Sequence, residues 1–163
     1  MLVKFLLPAL LLSTAVAANA QQAAKAPAPT AQAANTLTPE QQAQLAKQNQ
    51  QMAQAATQVA QQIDQNQAGD IWDGASTVAK SVATRDAFIK QAATDRKTLG
   101  SVKTRTVEAV TRTQSNGQKI PAGEYINVVF ATTFSKEAQP VRELVSFHLD
   151  GDNTWRLAGY TVH

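Results

Sequence analysis

The hydrophobic pattern of this 163-residue chain changes period once, at Gly100. Ahead of that glycine the larger apolar residues recur every three or four positions. Behind it they alternate with polar ones. The first spacing lines one face of a helix, the second one face of a strand. Val102 to about Thr113, Tyr125 to Phe134, Val141 to Leu149 and Thr154 to Val162 are rich in Val, Thr and aromatics. They are separated by Ser115-Asn116-Gly117, Pro121-Ala122-Gly123, Lys136 to Pro140 and Asp150-Gly151-Asp152-Asn153, all turn-forming stretches. Helices first, then a four-stranded antiparallel meander, point to an α+β domain with helices packed on one sheet face. Val128-Val129-Phe130 is apolar on both faces, which predicts a central strand.

The helical half begins at Thr38-Pro39-Glu40, where Thr38 can cap, Pro39 suits the first helical position and Glu40 favours the positive dipole end. From 39 to 67 the sequence is mostly Ala and Gln, and it predicts an Ala/Gln-rich helical arm. Leu45, Met52 and Val59 recur every seven residues, followed by Ile63. So narrow a stripe predicts docking of the last turns on the domain, or weak self-association through the 39–67 helix. The α+β domain is then expected over 68–163. Asp70 is expected to cap a second helix with a buried stripe of Ile71, Ala75, Val78 and Val82, and Thr84 a third, carrying Phe88, Ile89, Ala92, Ala93 and Leu99 and ending at Gly100.

Upstream, residues 1–20 read as a signal peptide: Lys4, an apolar run from Phe5 to Val16, and small residues in Ala18-Asn19-Ala20. The run is shorter than the roughly 20 apolar residues a bilayer span needs, so no transmembrane anchor is expected after cleavage. Residues 21–38 form an Ala/Pro/Gln linker with too little apolar bulk to order. The expected location is periplasmic or secreted. With no cysteine in the chain, disulfides, thiolate metal sites and a lipid-bearing cysteine are all excluded, so an apolar core must hold the fold.

Nine Lys or Arg fall between Lys80 and Lys119, opposed only by Asp86, Asp95 and Glu108. They read as a solvated face, or as a contact for an anionic envelope surface that salt would weaken. The compartment and the lack of an aromatic–basic platform argue against nucleic acid. The polar set of greatest interest is Arg96, Arg105, Glu124, Tyr125 and Glu143. If Arg105 shares a strand face with Val107 and Ala109, its stem is partly buried and it needs a carboxylate, which Glu143 or Glu124 could supply. The set is expected to be an ion pair joining the third helix to the sheet, or the polar lining of a pocket. Trp72, Trp155 and Tyr160 are expected as core or pocket-wall aromatics.

No catalytic motif, metal set or cofactor signature is present. His148 and Ser146 share a strand face but lie too far apart for a direct Ser–His bond, and the Asp150–Asn153 stretch lacks the ligands of a calcium loop.

Several stretches together resemble the bacterial "domain of unknown function 4019" family: Gly69-Asp70-Ile71-Trp72 with Ala75-Ser76, Arg96-Lys97-Thr98-Leu99-Gly100, Arg105, Pro121-Ala122-Gly123-Glu124-Tyr125, Phe134-Ser135-Lys136, Glu143-Leu144-Val145 and Trp155-Arg156-Leu157-Ala158-Gly159-Tyr160. The resemblance covers roughly residues 59–163. Phe88 stands where family members tend to carry a Trp. The resemblance implies an exported protein with a cystatin-like or nuclear-transport-factor-2-like roll, and it supplies no reaction. The expected function is a non-catalytic binding or accessory role in the cell envelope, with an envelope protein or small ligand as partner. The alternatives are a carrier or sensor of a small polar or anionic ligand, and an enzyme using Glu124, Glu143 or His148.

Overall fold

Period alone places the elements well. In the structure, a computed structural model that describes residues 37–163, helices α1 (Pro39–Asp64), α2 (Ala68–Asp73), α3 (Thr77–Val82) and α4 (Arg85–Leu99) precede strands β1 (Val102–Ser115), β2 (Gly123–Phe134), β3 (Val141–Leu149) and β4 (Trp155–Val162). The strands pair antiparallel in the order β1-β2-β3-β4. This is the expected α+β meander, and Val128–Phe130 lies on an interior strand. The signal peptide read at 1–20 and the linker read at 21–38, apart from Leu37 and Thr38, lie outside the described residues.

Alternation decides which sheet face is covered. Ile126, Val128, Phe130, Thr132 and Phe134 on β2 point the same way as Glu143, Val145 and Phe147 on β3, because antiparallel partners share a face. These residues are all buried. Their face meets Met52, Ala56 and Ile63 of α1, Ile71 and Trp72 of α2, and Ala92 of α4 in one apolar cluster. Trp72 lies 5.3 Å from Phe88, centroid to centroid. An aromatic at position 88 thus serves to join α2 to α4.

The first helix starts as its sequence dictates. Thr38 accepts from the backbone N–H of Gln41 while the Gln41 side chain accepts from the Thr38 N–H, a reciprocal capping box. Met52, Ala56, Ala60 and Ile63 then face the sheet, so the end of the Ala/Gln helix belongs to the same compact unit, Leu37–His163, as the strands. Ala at 56 and 60, both fully buried, lets the helix backbone approach the strands closely.

The second expected helix is two. Its stripe breaks after Asp73, because Ser76 leaves the helical path: its N–H donates to the Leu157 carbonyl of β4 and its Oγ caps the Val78 N–H of α3. Asp70 falls inside the first turn of α2, whose N-cap is Gln67. As a result Ile71 and Ala75 are buried, Ala79 replaces Val78 as the buried residue of α3, and Val82 is 66% exposed. Thr84 caps α4 through the Ala87 N–H, and Gly100 ends it at φ +83°, a conformation that favours glycine.

A second correction concerns β1. The pairing slips between Val107 and Ala109, leaving Glu108 as an extra residue. Such a bulge turns the strand over. Arg105 and Val107 stay on the helix-covered face, opposite Thr132 and Phe130, whereas Ala109 pairs with Val129 on the other face.

If α1 is part of the core, Ile63→Ala should cost about 2–5 kcal/mol in urea unfolding within a single transition. Leu37→Ala, at an exposed position, should change stability by no more than about 0.5 kcal/mol.

Candidate functional site

Within β3 the buried alternation Glu143, Val145, Phe147 contains one charge. Glu143 is 0% exposed, so its carboxylate must be fully compensated. It accepts five hydrogen bonds. Arg105 Nε (2.6 Å) and Thr132 Oγ1 (2.6 Å) donate to Oε2. Arg105 Nη2 (3.1 Å), Arg96 Nη2 (3.1 Å) and Tyr160 Oη (2.6 Å) donate to Oε1. Arg96 Nη2 also donates to Tyr160 Oη at 2.6 Å.

Two guanidinium groups on one carboxylate would leave a net positive charge. Asp64, in the last turn of α1, balances it. It accepts from Arg105 Nη1 at 2.9 Å and Nη2 at 3.2 Å, and its Oδ1 lies 2.7 Å from Arg96 Nε. This last contact is close but off the N–H axis, so it is an ion pair and not an aligned hydrogen bond. Arg96 Nη1 is buried without a hydrogen-bond partner. The guanidinium carbon stands 5.1 Å from the Phe134 ring centroid and 5.5 Å from that of Tyr160, so aromatic faces take part of its charge.

The four charged groups sum to zero, and their side chains are 0% (Glu143), 8% (Arg105), 10% (Arg96) and 24% (Asp64) exposed. Burial alone would raise the Glu143 carboxyl. The hydrogen bonds from Arg105, Thr132 and Tyr160 outweigh it and hold the group below the usual carboxylate range. Burial, reinforced by the Glu143 charge, pushes the Tyr160 phenol far above its ordinary value. The expected pairing of Arg105 with Glu143 is therefore present, and Arg96 carries it from α4 to the sheet.

Glu124 and Tyr125 stand elsewhere. Glu124 is exposed at the start of β2. The Tyr125 ring is turned to the other sheet face, 5.0 Å from the His148 ring, and its Oη donates to the Pro121 carbonyl at 2.7 Å. With Trp155, Arg112, Gln114 and Gln48 they line an open cleft of about 380 Å³. Sequence reasoning thus merged two separate places. It missed Asp64, although Asp64 is the sole acidic residue between Glu40 and Asp70 and follows the buried Ile63.

A second polar cluster gathers Ser76, His148 and Asp150. His148 Nδ1 lies 2.8 Å from Asp150 Oδ1, and Ser76 Oγ donates to the same oxygen at 2.5 Å. A hydrolytic triad needs the serine on one imidazole nitrogen and the acid on the other. Here both face Nδ1, and Ser76 is fully buried. His148 Nε2 is buried without a partner against Gly123, where φ is +140° and any β-carbon would collide with the ring. Arg156 closes the turn on Asp150 and forks onto Asp152 at 2.8 Å through both nitrogens. Ser146 bonds Asn127 instead of the histidine. No group of acidic or histidine side chains suited to a metal ion occurs among the described residues.

Residues 55–160 match the family described as "Protein of unknown function (DUF4019)". The chain belongs to this family. The DUF4019 match begins in the buried half of α1 and takes in Asp64, Arg96, Arg105, Thr132, Glu143 and Tyr160, the complete network. Neither curated proteins nor solved structures give a match.

Removing Glu143 leaves two largely buried cations to share Asp64 alone, one positive charge uncompensated, so Glu143→Ala should destabilise this DUF4019 domain by about 3–5 kcal/mol in urea unfolding. The pH dependence has a defined sign. A carboxyl lowered by folding stabilises above its unfolded value of about 4.3 and loses that contribution as pH falls through the folded value. The wild-type urea midpoint should therefore drop on acidification below about pH 4.3, and Glu143→Gln should flatten that part of the profile.

Proposed function

We propose that this protein is an exported, non-catalytic binding or accessory module of the cell envelope. The observation that carries the reading is the closure of the Glu143 network. General acid–base chemistry needs a carboxyl within reach of substrate and poised near working pH. Glu143 has no solvent contact and is held ionised by its donors. The other two groups considered for catalysis do not join it: Glu124 lies in the open cleft, and His148 is buried on the opposite sheet face with Asp150. The polar residues thus support a scaffold that presents surfaces, and the open cleft beside Glu124 is one of its concave surfaces.

The export half of the reading rests on the apolar run Phe5–Val16 followed by Ala18-Asn19-Ala20. The helices described include none long and apolar enough to cross a membrane.

Both halves can be tested on the protein as its host makes it. Mass spectrometry of the purified protein should find the N-terminus at or within a few residues of Gln21; a full-length chain in the cytoplasm would overturn export. Adding envelope extract should raise the melting temperature by several degrees, since a partner at 100 times its Kd contributes about 2.7 kcal/mol. An unchanged melt across soluble, wall and membrane fractions would overturn binding.

A further inference from the structure

The cleft beside Glu124 lies where a row of residues crosses the end of the covered sheet face. Gln114 of β1 pairs with Glu124 of β2, and Leu149 of β3 pairs with Trp155 of β4. Arg112, two residues from Gln114, shares its face. Gln48 reaches over from α1, and its Oε1 accepts from Arg112 Nη2 at 2.5 Å, while Asn49 Oδ1 accepts from Nη1 at 2.8 Å. The guanidinium is therefore fixed in place by two amides before anything binds. Trp155 is partly buried: it packs against the apolar cluster and also lines the cleft.

The cleft does not end there. Through Gln48 it adjoins a depression of about 360 Å³ that runs along the first turns of α1 to Leu37 and Gln41. Through Thr113 and Gln114 it adjoins one of about 650 Å³ beneath the β1–β2 loop, reaching Gln118 and Ile120. The three depressions are neighbours through these shared residues, and the one that holds Trp155 borders both of the others.

The chemistry of this lining selects by exclusion. In the central cleft Arg112 and Glu124 cancel and the other polar side chains, Gln48, Gln114, Thr113 and Tyr125, are uncharged, so neither an anion nor a cation is favoured there; Lys119 belongs to the depression beneath the β1–β2 loop. A lipid chain would leave the amides and the carboxylate without partners. What fits is a neutral ligand that has an apolar face for the indole and adjacent hydroxyls for planar side chains. Amide, carboxylate and guanidinium groups each offer two hydrogen-bonding atoms at fixed spacing. A pyranose ring has both features, and the neighbouring depressions give further rings of a chain somewhere to lie. The central volume lies in the range of small-ligand sites, about 300–1,000 Å³. We infer that this groove holds a neutral glycan chain, with Trp155 as the platform and Gln48, Gln114, Glu124 and Arg112 as its polar partners. The inference rests on reading the protein as an envelope binding module and names the ligand class of its open cleft.

The test is a titration of the purified protein with a tetramer of N-acetylglucosamine, with cellotetraose, and with a galacturonic acid tetramer as an anionic chain of equal length. Trp72 is buried and is the other of the chain's two tryptophans, so a fluorescence change reports chiefly on Trp155. At least one neutral tetramer should bind and perturb the emission, the anionic one at least tenfold more weakly. Trp155→Ala should weaken binding tenfold or more. Because Trp155 also packs on the core, Gln114→Ala and Glu124→Gln, both at exposed positions, serve as variants that keep the fold; each should weaken binding by about three- to tenfold. Co-sedimentation with peptidoglycan sacculi then separates a wall glycan from a soluble one. The inference is overturned if no neutral tetramer binds at about 10 mM, if binding is indifferent to all three substitutions, or if the anionic chain binds more tightly. In those cases a melting shift in envelope extract would leave the binding-module reading standing, whereas no shift would remove both.

Discussion

A carboxylate with no access to water has to be matched donor for donor, and Glu143 is such a group. Its five donors come from four elements: Arg96 on α4, Arg105 on β1, Thr132 on β2 and Tyr160 on β4. Asp64 on α1 then balances the second guanidinium. Few arrangements of those elements satisfy every partner at once. Against apolar side chains of equal volume such a network gains little stability. Its consequence is geometric, since a helix that slid or rotated would leave a buried charge unpaired.

Features that look local serve this joint. The bulge at Glu108 keeps Arg105 on the helix-covered face while the rest of β1 continues with Ala109 reversed. Fully buried Ala56 and Ala60 bring α1 close enough for Asp64 to reach both arginines. At the other end of the sheet, Ser76 and Asp150 close a second polar joint around His148, which ties α3 to the β3–β4 turn. The His148 joint works from the other sheet face, while the Glu143 joint commits the covered face to holding the layers together. Concave surface open to solvent is left at its end, between the start of β2, Trp155 and α1.

The layers were legible in the sequence because period is a local property. The change at Gly100, the caps at Thr38 and Thr84, and the turns between strands all act over a few residues. The break within the second helix was not legible, because Ser76 is diverted by a hydrogen bond to Leu157, far away in sequence. Half of the network was readable for a related reason. Glu143 falls in the apolar phase of its strand, and Arg96 follows Phe88 and Ala92 at intervals of four. A charge in a buried register demands a partner. Which partner depends on strand register and on a bulge, and neither is written in composition. Hence Glu124 and Tyr125 were grouped with a cluster they do not touch, and Asp64 was overlooked.

The joint is tested most directly by a double-mutant cycle between Arg105 and Glu143, using Arg105→Gln and Glu143→Gln and measuring unfolding free energies in urea at neutral pH. The two changes should be strongly non-additive, with a coupling of roughly 1–3 kcal/mol and the double variant less destabilised than the sum. Additivity to within about 0.5 kcal/mol would contradict the account, because it would mean that the two side chains do not depend on each other and that the layers are held by apolar packing alone.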